Sequence, residues 1–295
     1  ESKKLSSEVK LAYVSAINSL GSLSVNAENF GILAGLPWFY QFWSRDEAIC
    51  LKALSAVNHH LSKKIILRSL DEIQGDGRVP KLYCVDDKAT NADAIGWLFS
   101  RTFDFYSNAK SNISILEQLK KSILSIKSRK IRNEKIIVLI NRIEKSLKSK
   151  SRENSYLISK KEIGIRQSID GLEKNYIKDG LVFNNSKETW MDTAFNNGGR
   201  SGFNIEMQAL MLMMYKNAFE ITKDAKYKNS ENALKKNVLE KFWNGSLLAD
   251  NLIDKAIRPN IFIAYYLYPQ LLPNKEWEKC FENALKALWL EFGGL

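Results

Sequence analysis

At 295 residues and 45% hydrophobic, the chain can bury one large core or two small ones, and it has no uninterrupted apolar run long enough to span a membrane. Its formal charge of +11 is confined to one stretch: residues 110–161 carry 15 of the 44 basic and 4 of the 33 acidic residues, which leaves 29 of each elsewhere. No aromatic residue interleaves these charges between Lys110 and Glu153 and no Gly-rich nucleic-acid motif accompanies them, so the stretch reads as solvated helix faces rather than a nucleic-acid site.

Five prolines and fifteen glycines are few for this length and favour long helices. In chain order, Val9, Tyr13, Val14 and Ile17 predict a helix over 6–20, capped by Ser6 or Ser7. A second runs from Asp46 to about Val57, and a short third over 62–70 ends in the turn GDGRVP at 75–80. Residues 91–106 predict another, with Ala94, Trp97, Leu98, Phe103 and Phe105 apolar. The Lys/Ile/Leu-rich stretch 114–147 predicts two helices of an outer layer, with Ile113, Leu116, Leu119, Ile136, Leu139 and Ile140 turned inward and the charges in solvent. Helices follow over 160–177, 204–222, 230–242, 259–268 and 275–292. Met207, Met211, Met213 and Met214 read as core. Only DGLVF and GSLLAD suggest extended pieces. The expectation is an all-α toroid, because polar clusters recur between successive helices.

Cys50, Cys84 and Cys280 fit no metal or disulfide spacing, and His59 and His60 have no acidic or cysteine partner at ligand spacing. The expectation is therefore no metal, no cofactor, and a reducing, cytoplasmic setting. The opening ESKKLSSEVKLAY lacks a signal peptide's apolar core, which weighs little in a chain that starts on Glu1.

Two aromatic-acid clusters carry the chemistry: GLPWFYQFWSRDEA at 35–48 and ETWMDTAFNNGGRSGFNIEMQAL at 188–210. The C–H face of a sugar ring packs on indole, and its hydroxyls call for carboxylates and guanidinium groups. Two carboxylates on opposite sides of such a ring are the minimum for cutting a glycosidic bond. Plainer readings stand beside this one: Asp192 as a helix N-cap, and Arg45–Asp46 as an ion pair at a helix start.

The clusters resemble the amylo-α-1,6-glucosidase family, the glucosidase part of glycogen debranching enzymes, and more distantly glucoamylases and other six-hairpin glycosidases. The likeness rests on PWF and FWSRD at 37–46, GRVP at 77–80, NADAIGWLF at 91–99, DGL with TWMD at 179–192, NIEMQAL at 204–210, and FWN, LAD and IRPN within 242–260, all in the family's order. It implies an (α/α)6 toroid in a single domain spanning 1–295. It also implies an inverting hydrolase that releases glucose from α-1,6-branched glucans. Asp192 takes the general acid's position, while Trp43, Arg45 and Asp46 match the pocket for the non-reducing glucose. Trp38, Asp93, Trp190, Glu206 and Arg258 fall at further substrate-binding positions. Two departures are Ile261, where the family has an amide, and a glycine-rich NNGGRSGF linker that bears on the aglycone side.

The family's catalytic base is a Glu near its C-terminus, and this chain stops at EFGGL. The expectation is a fragment without that base and without the closing helices of the toroid. A glucoamylase-like α-1,4-glucosidase and a non-catalytic carbohydrate-binding remnant stay open as alternatives.

Overall fold

The computed structural model describes residues 6–86, 89–125, 134–192 and 199–291. Helix α1, Ser7–Leu23, is capped by the Ser6 hydroxyl and buries no residue. A short antiparallel hairpin follows, β1 Ser24–Asn26 with β2 Phe30–Ile32. Strand β3, Phe42–Trp43, leads directly into α2, Ser44–Val57, and Asn58 turns the chain into α3, His59–Asp71. Strand β4, Leu82–Tyr83, pairs with β3 and precedes the long helices α4, Ala94–Ser125, and α5, Glu134–Tyr176. A two-residue hairpin, β5 Ile177–Lys178 with β6 Leu181–Val182, leads toward the second aromatic-acid cluster. Then come α6, Ile205–Thr222, α7, Ala225–Phe242, α8, Asn260–Leu267, a 3-10 turn at Pro269–Leu271 and α9, Asn274–Leu288.

The helices pair as hairpins around an inner ring. α2, α4, α6 and α8 pack each on the next, while α3, α5 and α7 lie against α2, α4 and α6. α9 packs on α8 through Phe262, Tyr265, Trp277 and Phe281. Burial follows this order. Thirteen of the eighteen α6 residues are buried, from Ile205 to Ala218, including all four methionines of its sequence. On α7 only Tyr227, Glu231, Leu234, Val238 and Phe242 are buried, one stripe of a solvated helix. This is the α/α-toroid architecture. No helix among the described residues is long and apolar enough to cross a membrane.

Several element bounds differ from the sequence reading. The helices expected at 91–106 and from 114 form one helix, because Ser107, Asn108 and Asn112 are weak helix formers but no Gly or Pro interrupts them. α5, described from Glu134, absorbs the helix expected at 160–177. α7 starts at Ala225, set by the Asp224 side chain accepting from the Lys226 N–H at 3.0 Å. The inward-facing set from Ile113 to Ile140 lies outside the described side chains. Lys161 departs from the expected solvated charges: it is 1% exposed, its ammonium lies 3.5 Å from the centre of the Tyr106 ring, and burial lowers its pKa to about 8.

Candidate active site

The inner helices bring their N-terminal ends to one side of the ring. Arg45 and Asp46 stand in the first turn of α2, Asp93 just before α4, Asn204 and Glu206 at the start of α6, and Arg258 and Asn260 at the start of α8. Unpaired N–H groups and the helix dipoles make such an end favourable for carboxylates. The loop from Glu188 to Asp192 lies across it.

Arg45 ties the two aromatic-acid clusters together. Its Nε donates to Asp93 Oδ2 at 2.8 Å and its Nη1 to Asp192 Oδ2 at 3.5 Å. Arg45 and Asp93 are buried, at 8% and 1% exposure, while the Asp192 side chain keeps 27%. Burial raises the Asp93 carboxyl above the usual carboxylate range despite Arg45 beside it. Asp46 is raised as well, mainly by burial and further by the charge of Asp192, with Arg45 opposing.

Lys81 completes this cluster, and local sequence gave no signal for it. Its Nζ lies 3.8 Å from Asp192 Oδ2 and 5.2 Å from the centre of the Trp43 ring. The β3–β4 ladder fixes it: the Ser44 N–H donates to the Lys81 carbonyl at 3.1 Å and the Lys81 N–H to the Ala89 carbonyl. Trp43 in turn meets Phe39 edge-on, with ring centres 6.4 Å apart. Trp38, within the Gly35–Phe39 turn of that loop, is 80% exposed.

The loop that carries Asp192 is held on both flanks. On one side the Glu188 carboxylate accepts from Arg78 at 3.0 Å, from the Tyr176 hydroxyl at 2.9 Å and from the Asn185 N–H at 2.8 Å. The Glu188 carbonyl also accepts from the Ala92 N–H, next to Asp93. On the other side the Trp190 indole N–H donates to Asn260 Oδ1 at 2.9 Å, leaving the ring half exposed. Residues 193–198 lie outside the described part.

Glu206 and Arg258, both expected at substrate-binding positions, are each engaged in ion pairs. Glu206 is 2% exposed and closed off by an ion pair with Arg200. Burial pushes its carboxyl up to about 7 even so. Arg258 is spent on Asp250, at 3.0 Å, and on Asp254. Asp250 also accepts from Arg200 at 2.7 Å and from the Asn260 amide at 2.7 Å. Arg200, Asp250 and Asn260 thus form a buried layer behind the exposed indole of Trp190. Arg200 meets Asp250 and Asn260 meets Trp190 across different segments of the chain, so the motifs marked the segments and not the pairing.

The inner helices of this toroid thus present Trp, Asp and Arg at one end. The family model described as amylo-alpha-1,6-glucosidase matches residues 10–294, and the chain belongs to that family. Among solved structures it is similar to a rhamnosidase from Klebsiella oxytoca with rhamnose bound, at 13% identity and a TM-score of 0.58. That match covers 96% of this chain and 48% of the rhamnosidase, so the chain spans about half the length of that neighbour. A sugar epimerase from a ruminal bacterium matches at 12% identity and a TM-score of 0.33, over 81% of this chain and 71% of its own. No curated protein matches the sequence.

Proposed function

We propose that the protein is an inverting α-glucosidase that releases glucose from α-1,6-branched glucans, with Asp192 as general acid. The observation that carries this reading is the Asp192 carboxylate. It is held by Arg45 beside Asp46 and Lys81 and next to the exposed Trp190 ring, at the convergent helix ends of a chain in this family. In this reading Trp190 stacks on the sugar. Asp46 and Lys81 meet its hydroxyls, and Asp192 protonates the leaving oxygen. Inversion needs a second carboxylate about 6.5–9.5 Å across, to activate water on the far face of the ring. The reading requires a protein that carries both groups. A cytoplasmic setting belongs to the same reading.

Asp192→Asn tests it. Glucose release from α-1,6-branched dextrin should fall on the order of 10²–10⁴-fold with glucan affinity nearly unchanged, and the wild-type product should be the β anomer by NMR. Unchanged release by the variant, or an α-anomeric product, would remove Asp192 or inversion from the reading. Faster release from linear maltooligosaccharides than from branched dextrin would move the specificity to α-1,4 links.

A further inference from the structure

Asn260 sits at the start of α8 with no exposed surface, yet it bonds in three directions. Its Oδ1 accepts the Trp190 indole N–H at 2.9 Å. Its Nδ2 donates to Asp250 Oδ1 at 2.7 Å and approaches the Met191 sulfur at 3.6 Å. Trp190 and Met191 are the two residues immediately before Asp192. Asp250 is itself fixed, because its other oxygen accepts from Arg200 and Arg258. An amide whose N–H₂ end is held by a charge-paired carboxylate cannot turn over, so its oxygen keeps facing the indole.

We infer that Asn260, oriented by Asp250, is a positioning residue that fixes the Trp190 ring and thereby the kind of contact the site makes. With its only side-chain N–H spent on Asn260, the Trp190 ring has no donor for a sugar hydroxyl and offers only its faces. It therefore selects ligands with an apolar ring face, such as the C–H face of a pyranose, and holds them by stacking. Arg200 and Arg258 serve the same end from behind, by neutralising Asp250, rather than by touching substrate. The inference rests on the proposed sugar site for its functional side and on geometry alone for the fixed indole.

The test is a cycle of Asn260→Leu, Trp190→Phe and the double variant. Phenylalanine keeps a stacking face and lacks the N–H, so it makes no demand on Asn260. Asn260→Leu alone should raise KM for glucan about tenfold, a size fitting one lost buried hydrogen bond. In the Trp190→Phe background the same change should raise it less than about twofold. Equal effects in both backgrounds would show that Asn260 acts through Asp250 or Met191 and not through the indole, and would overturn the inference. A second readout does not depend on substrate. The indole N–H signal missing from Trp190→Phe should be protected from solvent exchange in the wild type and exchange at least tenfold faster in Asn260→Leu. Equal protection in both proteins would overturn it too. Failure of the glucosidase reading would leave this exchange difference intact.

Discussion

Removing the Arg45 guanidinium should be among the most damaging single changes available, and Asp93 is the reason. Asp93 is 1% exposed, and the Arg45 Nε bond at 2.8 Å is its cationic partner. In Arg45→Met the carboxylate stays buried without a counter-charge, a situation that costs about 3–5 kcal/mol. Asp93→Asn leaves an oxygen that can still accept from Arg45, and Arg45 keeps Asp192 at 3.5 Å, so it should cost only about 1–2 kcal/mol. The double variant has no stranded charge and should be about 2 kcal/mol more stable than Arg45→Met alone. Urea unfolding followed by circular dichroism measures all four proteins. The pH dependence has a definite sign. Burial already holds the Asp93 carboxyl above the usual range, and loss of Arg45 lifts it further. A raised acid pKa in the folded state favours the proton, so the deficit of Arg45→Met should shrink at pH 5 and be full at pH 7.5. Additive effects within about 0.5 kcal/mol, or a deficit independent of pH, would refute this account of the pair.

Two further outcomes follow from the same region. Lys81→Met should fold normally, since the side chain is a quarter exposed and methionine still covers Trp43. It should nonetheless lower kcat/KM for glucan by roughly 10–100-fold through loss of a charged donor beside Asp192, and unchanged kinetics would place Lys81 outside the site. Glu206 and Glu47 are both raised to about 7 by burial against their ion pairs with Arg200 and Arg68. Their unfolded values lie near 4.5. Stability should therefore fall as pH rises from about 4.5 through 7 and level off above, and Glu206→Gln should remove part of that slope in a series of thermal melts. A Glu206→Gln curve parallel to the wild type would show that Glu206 does not titrate in this window.

Helices and chemistry were legible in this sequence for separate reasons. Periodic apolar residues announce a helix wherever one face meets a core, and the stripe at Tyr227, Leu234 and Val238 or the apolar run of α6 needs no knowledge of neighbours. The helix ends were less legible, because a start such as Ala225 depends on one capping side chain, and long polar stretches such as Ser107–Asn112 neither propose nor forbid a break. The strands of two or three residues had no periodicity to read. They exist because tertiary groups claim the chain: the Ile32 N–H goes to the Glu47 carboxylate at 2.8 Å and the Ser44 N–H to the Lys81 carbonyl. The same distinction runs through the site. Under the proposed sugar-binding role, Arg45, Asp46, Trp190 and Asp192 stand out because residues that touch a sugar must be of a few types and lie near turns. Lys81, Glu188, Arg200, Asp250 and Asn260 are ordinary polar residues until the fold pairs them. Each has a partner from another hairpin or loop, as in Arg78 with Glu188 or Asn260 with Trp190. Residues that meet a ligand are constrained by its chemistry, which a short motif can display. The residues that hold them in place are constrained only by one another, and that constraint becomes visible when the four inner helices bring their N-terminal ends together.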